Sequence, residues 1–368
     1  MRIDNVELRR LKMPLVTPFR TSFGLQTVRD VLLVVATTTD GVTGYGECVA
    51  LADPVYSEEY VDGAERVIAR YLAPAVLAAG AVTAADVAPL TSAFVGQRMA
   101  KAAVEMAVLD AQLRTVGMNL AEFLGGVRAT VEVGVSVGIT DTVAALVEAV
   151  RSYLDEGYRR IKLKIQPGFD LLPVRAVRDA FGPDILLQVD ANTAYRAGDL
   201  DRLTRLDEYD LLLLEQPFDH DDLELHAELA QRMRTPICLD ESLTSAKTTA
   251  TAIRAGACEI ANIKAGRVGG YLEARRIHDV AAALDVPVWC GGMLETGIGR
   301  AANLALAALP GFTLPGDISG SARYYREDIT APFVPVGGSM AVPTGPGIGV
   351  EVDEERVATL TTSRQVIR

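Results

Sequence analysis

The chain has only three histidines in 368 residues (His220, His226 and His278) and four widely separated cysteines (Cys48, Cys238, Cys258 and Cys290). So few histidines leave little room for a His-built metal site, and their placement supports no Ser–His–Asp arrangement. There is no CxxC, so the thiols read as buried groups of a reduced, cytoplasmic chain. No run of about 18 uncharged apolar residues suggests a membrane span, and the opening MRIDNVELRR has no apolar h-region, so no signal peptide is expected. Basic residues are also in deficit. The 36 Lys+Arg stand against 48 Asp+Glu, giving a formal charge of -12 and a pI near 4.9. That balance argues against nucleic acid or an anionic membrane as partner. No low-complexity tract or charge run is present. The GxG of TGPGIGV lacks a strand-then-helix context, so dinucleotide binding is rejected, and GYGE and GGM read as tight turns.

Apolar residues, by contrast, make up 49% of the chain, enough for a large core. From residue 131 short β-branched runs recur: VEVGVSV, IKLKI, ILLQVD, LLLLEQP, PICLDE, IANIKAG, PVWCGG and FTLPGD. Helix-like stretches separate them, several ending in Gly. Eight near-equal strand–helix units predict a parallel (β/α)8-type barrel, with a doubly wound open sheet as the alternative. Residues 1–127 read as an α+β domain: antiparallel strands around a TTTDG turn, then helices over about 57–79 and 98–124. The second helix is rich in Ala and predicted to lie buried between domains. The tail from about 325 ends in a strand-like GIGVEV and could return to the first domain, leaving 128–324 as the barrel.

Within IKLKI, alternate side chains share a face, so Lys162 and Lys164 point the same way. Two ammonium groups side by side in an apolar strand need a reason. The ends of the next strands supply one. Asp190, Glu215 and Asp240 are spaced 25 residues apart, one repeat of the fold, and are predicted to sit at one level at the barrel mouth. Three converging carboxylates repel unless a cation joins them. All-oxygen donors suit Mg2+, with Mn2+ or Co2+ as substitutes, better than zinc. Lys264 on the sixth run lies across the barrel from Lys164. A substrate carboxylate between them would meet an amine on each face. Lys162 and Arg267, as neighbouring cations, are expected to lower the pKa of Lys164 and Lys264, as a general base requires. Taking a proton α to a carboxylate gives an enediolate, which such a site stabilises. The bland readings are acids that merely end strands or pair with the lysines.

The stretches KLKIQPG, QVDANTAY, LLLLEQPF, CLDESL, NIKAGRVGGYLEARR and WCGGMLETGIGRAAN resemble the muconate-lactonizing subgroup of the enolase superfamily. With MPLVTPFRTSFG and YGECVALADPVYSEEY included, nearly the whole chain resembles the o-succinylbenzoate synthase / N-acylamino acid racemase family. The resemblance implies a modified (β/α)7β barrel with an N-terminal α+β capping domain, a homo-oligomer and one Mg2+. It implies Asp190, Glu215 and Asp240 as ligands and Lys164 and Lys264 as the acid/base pair. Lys162 would contact the substrate carboxylate, with Asn192 and Glu241 as close neighbours. Gly291 and Gly292 stand where mandelate racemase-like members carry a histidine, and Asp317-Ile318-Ser319 replaces the Asp-x-Asp of dipeptide epimerases. Gly292 and Asp317 thereby border the substrate. Specificity is expected from Phe19, Arg20, Phe23 and Tyr56 on the cap loops, although these aromatics read equally well as inter-domain core. Ser136 and Met293 could line the pocket or pack the barrel.

The reaction implied is dehydration to o-succinylbenzoate in the menaquinone pathway, racemisation of N-acyl (N-succinyl) amino acids, or both. Muconate-type cycloisomerisation and dipeptide epimerisation are the alternatives within the superfamily. A non-catalytic barrel that binds small carboxylates is the reading from another class.

Overall fold

The computed structural model describes residues 1–22 and 24–368. Three N-terminal strands, β1 (Ile3–Thr21), β2 (Gly24–Thr38) and β3 (Thr43–Cys48), form an antiparallel meander, with Gly41 at φ 82° in the predicted TTTDG turn. The helix Arg98–Val116 packs on β3. Gly44 and Gly46 permit this. A Cβ there would lie 2.3 Å from the carbonyl oxygen of Ala107 and 2.0 Å from that of Ala103. GYGE is therefore a strand that lets a helix approach closely, not a turn. The same helix buries 13 side chains and also meets the barrel segment Ala265–Val268, so it lies between the two domains as predicted.

The barrel follows. A short ribbon strand, β4 (Thr130–Glu132), leads into β5 (Gly134–Val137), β6 (Arg160–Lys164), β7 (Leu186–Asp190), β8 (Leu214–Glu215), β9 (Ile237–Leu239), β10 (Ile260–Ile263) and β11 (Val288–Cys290). The last seven are parallel and neighbour one another in chain order. The eighth apolar run closes the cylinder with single bridges rather than a ladder, Phe312 to Val288 on one side and Gly316 to Val133 on the other. Pro315 has no N–H to give to a ladder, which limits pairing there. This is the (β/α)7β barrel with an α+β cap. VEVGVSV spans two strands, because β4 leaves the barrel to pair with β12 (Ser339–Ala341).

The tail differs from its reading. GIGVEV is not a strand: Gly347 and Gly349 sit at φ 70° and 84°, which breaks extended backbone. The strand that joins the cap sheet is β13 (Thr361–Ile367), antiparallel to β1. Its residues, TTSRQVI, are mostly polar and exposed, so no apolar alternation marks it. Two buried cap acids also dock the domains. Glu47 accepts from the backbone N–H of Thr296 (3.0 Å) and Gly299 (3.0 Å) at the start of the barrel helix Gly297–Ala307. Glu105 accepts from Leu272 N–H (3.1 Å) at the start of the helix Tyr271–Ala283. All four cysteines are free and buried. Among the described residues no helix is long and apolar enough to cross a membrane.

Candidate active site

The pleat of β6 sends Arg160, Lys162 and Lys164 inward together. Lys164 is the register partner of Asp190, and Asp190 of Glu215. Glu215 is paired with Cys238, so Asp240 lies two residues further along its strand. Between β8 and β9 the acids are thus offset by two residues in register. Barrel strands tilt, and the hydrogen-bond register must shift to keep side chains at one height. All three carboxylates are buried.

The ammonium of Lys162 lies 2.5 Å from Asp317, 3.1 Å from Glu215 and 3.2 Å from Asp190. That of Lys164 donates to Asp190 (2.6 Å) and to the Asn192 side-chain oxygen (2.7 Å). Lys264 donates to Asp240 (2.6 Å) and to the Tyr56 hydroxyl (3.2 Å), with the Tyr56 ring centroid 4.9 Å away. In the eight stations of the cylinder β6 and β10 stand opposite one another, so Lys164 and Lys264 reach the mouth from opposing sides. Arg267 is buried, pairs with Asp240, and donates to the carbonyl oxygens of Leu243 (3.2 Å) and Asn262 (2.8 Å). Asn192 also donates to Glu241 (2.9 Å).

Charge follows from these contacts. Burial opposes the charge of Lys162, but Asp317, Glu215 and Asp190 outweigh it and raise its pKa above the ordinary lysine value. Burial likewise opposes Lys264, and Tyr56, Glu241, Glu215 and Asp190 outweigh it. The lowered value expected for Lys264 is therefore not found: Tyr56 and the surrounding carboxylates decide the sign. Asp190 is held below the carboxylate range by Lys164 and Lys162 despite burial. Burial, reinforced by Asp190, pushes Glu241 up to about 7.

Other predicted residues distribute unevenly. The Ser136 hydroxyl is buried without a hydrogen-bond partner, and Ser136 is the register partner of the inward-facing Lys162. Phe19 is buried in the core shared with the barrel, its ring edge-on to Tyr324. Arg20 does not reach the site; it pairs with exposed Asp141 at 2.8 Å. Phe23 lies outside the described residues. Gly292 leaves room for the last barrel segment, since a Cβ there would meet the Asp317 carbonyl oxygen at 2.5 Å. Met293 packs in the cap's own apolar cluster. Asp317 is taken up by Lys162 and by Arg160 (2.5 Å).

Two site residues escaped the sequence reading. Arg160 stands two positions before Lys162, and Asn262, which donates to Glu215 (2.6 Å), two before Lys264. Period-2 spacing from the recognised lysines would have found both. Non-glycine residues with positive φ gather at the same strand ends: Asn192 (42°), Thr193 (63°), Gln216 (38°) and Leu294 (58°). Such strain concentrates at functional sites. A cavity of about 360 Å3 opens between cap and barrel, lined in part by Tyr56, Glu59, Arg98, Asn192, Glu241 and Arg267.

The donors fit a hard divalent cation. Asp190, Glu215 and Asp240 offer only oxygen, are buried, and already hold cationic nitrogen between them. Among the described residues, the acid/histidine trio with ligand atoms all within 4.8 Å of one another is a different, exposed one, Asp219, His220 and Asp221.

Comparison with known proteins gives the family. Residues 5–125 match the mandelate racemase / muconate lactonizing enzyme N-terminal domain, and residues 145–356 the enolase C-terminal domain-like family. The chain is 61% identical to an N-succinylamino acid racemase of Amycolatopsis, over 99% of both chains. It is 47% identical to an o-succinylbenzoate synthase of Geobacillus stearothermophilus, over 99% of this chain and 97% of that one. A crystal structure of an enolase superfamily member from Listeria innocua superposes with a TM-score of 0.95 at 40% identity, covering 100% and 99% of the two chains. The chain belongs to the mandelate racemase / muconate lactonizing enzyme family of the enolase superfamily.

Proposed function

We propose that the protein abstracts the proton α to a substrate carboxylate, racemising N-acylamino acids, N-succinylamino acids foremost, and dehydrating the precursor of o-succinylbenzoate in the menaquinone pathway. The observation that carries this reading is the opposed pair Lys164 and Lys264 with carboxylates on the strands between them. Asp190, Glu215 and Asp240 would hold Mg2+, with Mn2+ or Co2+ as substitutes. Held there, such a cation would supply positive charge beside the substrate carboxylate and would offset the carboxylate charge that raises the pKa of Lys264. Lys162 meets the substrate carboxylate from below. One lysine then takes the α-proton, and the other returns a proton on the opposite face, which inverts the centre. In the dehydration, one lysine takes the α-proton, the C–O bond of the β-hydroxyl breaks as the new C=C bond forms, and the lysine's proton passes to the departing oxygen, so that water leaves. Asn192 holds Lys164 and ties Glu241 to it, while Tyr56 contacts Lys264 and Arg267 shares Asp240 with it.

Both oxygens of Asp317 are engaged by cations. Neither oxygen of Asp317 is left free for a substrate ammonium, which favours an acylated nitrogen over the free amine of a dipeptide. The division at 127/128, with the tail from about 325 returned to the cap, belongs to this proposal. So do a cytoplasmic location, a homo-oligomeric state and a small-molecule carboxylate as substrate.

Proton NMR of N-succinyl- and N-acetyl-L-methionine in D2O with Mg2+ tests the reading. Loss of the α-proton signal, appearance of both enantiomers, and arrest by EDTA are expected. Binding of Mg2+ without any exchange on either compound would remove the racemase reading and leave the dehydration to be assayed by itself.

A further inference from the structure

Beneath the lysines runs a column of charge that the proposed chemistry does not use. Arg160 is fully buried in the barrel interior. Its guanidinium donates to the Pro315 carbonyl oxygen through Nε (3.3 Å) and Nη2 (2.9 Å), and to Asp317 Oδ1 through Nη1 (2.5 Å). The other oxygen of Asp317, Oδ2, faces the Lys162 ammonium at 2.5 Å. Both cations lie over the same Trp289 ring, at 5.3 Å and 4.9 Å from its centroid. The neighbouring strand β5 makes room: a Cβ on Gly134 would sit 2.3 Å from Arg160 Nε.

We propose that Arg160 is a positioning residue which, through Asp317, fixes the Lys162 ammonium at the floor of the site and so governs affinity for the substrate carboxylate rather than proton transfer. This rests on the reading that Lys162 meets that carboxylate. A buried ion pair is a poor way to gain stability, because desolvation cancels most of the attraction, and apolar residues of like volume do as well. Its use here is geometric. Lys162 has a flexible four-carbon stem and three carboxylates to choose from. Asp317 is rigid only because Arg160, itself held twice on Pro315, clamps one of its oxygens and leaves the other aimed upward. Without the clamp, Asp317 is free to turn, and Lys162 is drawn toward Asp190 and Glu215 and away from an incoming anion.

The test pairs calorimetric binding of N-succinyl-L-methionine with steady-state kinetics on Arg160→Met, Asp317→Asn and their double variant. A rise of about tenfold or more in Kd and KM with kcat within about threefold is expected for each single variant. The double variant should be no worse than Arg160→Met alone, because two members of one relay do not add. If Arg160→Met does not fold, Asp317→Asn and Gly134→Ala, which crowds the guanidinium and removes nothing, carry the test, and both should raise Kd. An unchanged Kd in the folded variants, or effects that multiply in the double variant, would overturn the proposal. Binding without α-proton exchange in the wild-type enzyme would sink the racemase reading while the Kd series still decides the role of Arg160.

Discussion

Lys164 and Lys264 stand opposite one another in the same barrel, but their surroundings differ. Lys164 is held by Asp190 and Asn192, both on the next barrel strand and its loop. Lys264 is held by Asp240 from the barrel and by the hydroxyl and ring of Tyr56 from the cap. The strand pleat and a single turn place both side chains on Lys164, and the cap meets that half at the Asn192 carbonyl oxygen, through the Ser22 hydroxyl (3.5 Å). The other half is complete only when the cap is seated. A reaction that needs both faces therefore depends on domain docking through one of its two bases.

Removing either lysine should break this comparison most strongly. Lys164→Ala and Lys264→Ala are each expected to reduce racemisation by about 1,000-fold or more, roughly 4 kcal/mol of barrel-supplied stabilisation of the transition state. Each variant should still wash out the α-proton of one enantiomer without inverting it, and the two variants should act on opposite enantiomers. Chiral chromatography combined with deuterium incorporation reads both quantities. If one variant kept full racemisation, the two-base arrangement would be wrong.

Tyr56→Phe sharpens the contrast at smaller magnitude. It keeps the ring over Lys264 and deletes the hydroxyl contacts to Lys264 (3.2 Å) and Asp240 (3.3 Å). A three- to tenfold loss, on the order of one ordinary hydrogen bond, is expected. The loss should fall on exchange of the enantiomer served by Lys264 and leave the other within error. Equal slowing of both enantiomers would mean that Tyr56 acts on the whole site and not on one half.

The same asymmetry explains what could be read from the sequence. Lys162, Lys164, Asp190 and Glu215 were legible because each sits in or at the end of a short strand, where spacing of two fixes the face and spacing of 25 fixes the neighbour. Arg160 and Asn262 obey the same rule but stand one pleat deeper, where a polar residue reads as the beginning of a strand. On the cap side, Tyr56 reaches Lys264, whereas Arg20 turns to Asp141 and Met293 joins the cap core. Nothing periodic places a loop side chain; its direction depends on the packing of two domains. The tail shows the same limit, for β13 is a strand made by its partner β1 and not by its own apolar pattern.

Docking of the cap itself supplies the smallest and most specific effect. Glu47 is fully buried at the start of a barrel helix, and burial, with Glu295 nearby, pushes its pKa up to about 7 against the pull of Thr296. Burial raises Glu105 to about 7 as well. Between the ordinary glutamate value of 4.5 and about 7, the folded chain therefore binds protons that the unfolded chain has released. The sign follows directly. Where the native state holds more protons, stability falls as pH rises. The favourable contribution is complete below about 4.5 and is lost through the window up to 7, by roughly 1–3 kcal/mol per residue. Melting temperature should thus decline between pH 5 and 8 more steeply in the wild type than in Glu47→Gln, which keeps an acceptor for Thr296 and Gly299 but cannot ionise. Lys264-dependent exchange should weaken over the same range relative to Lys164-dependent exchange, because a cap side chain, Tyr56, touches Lys264 itself, whereas the cap meets the Lys164 half at the Asn192 backbone. Identical melting slopes in the two proteins would show that Glu47 stays charged at the interface. The dependence of the Lys264 half on the cap would then have to rest on Tyr56 alone.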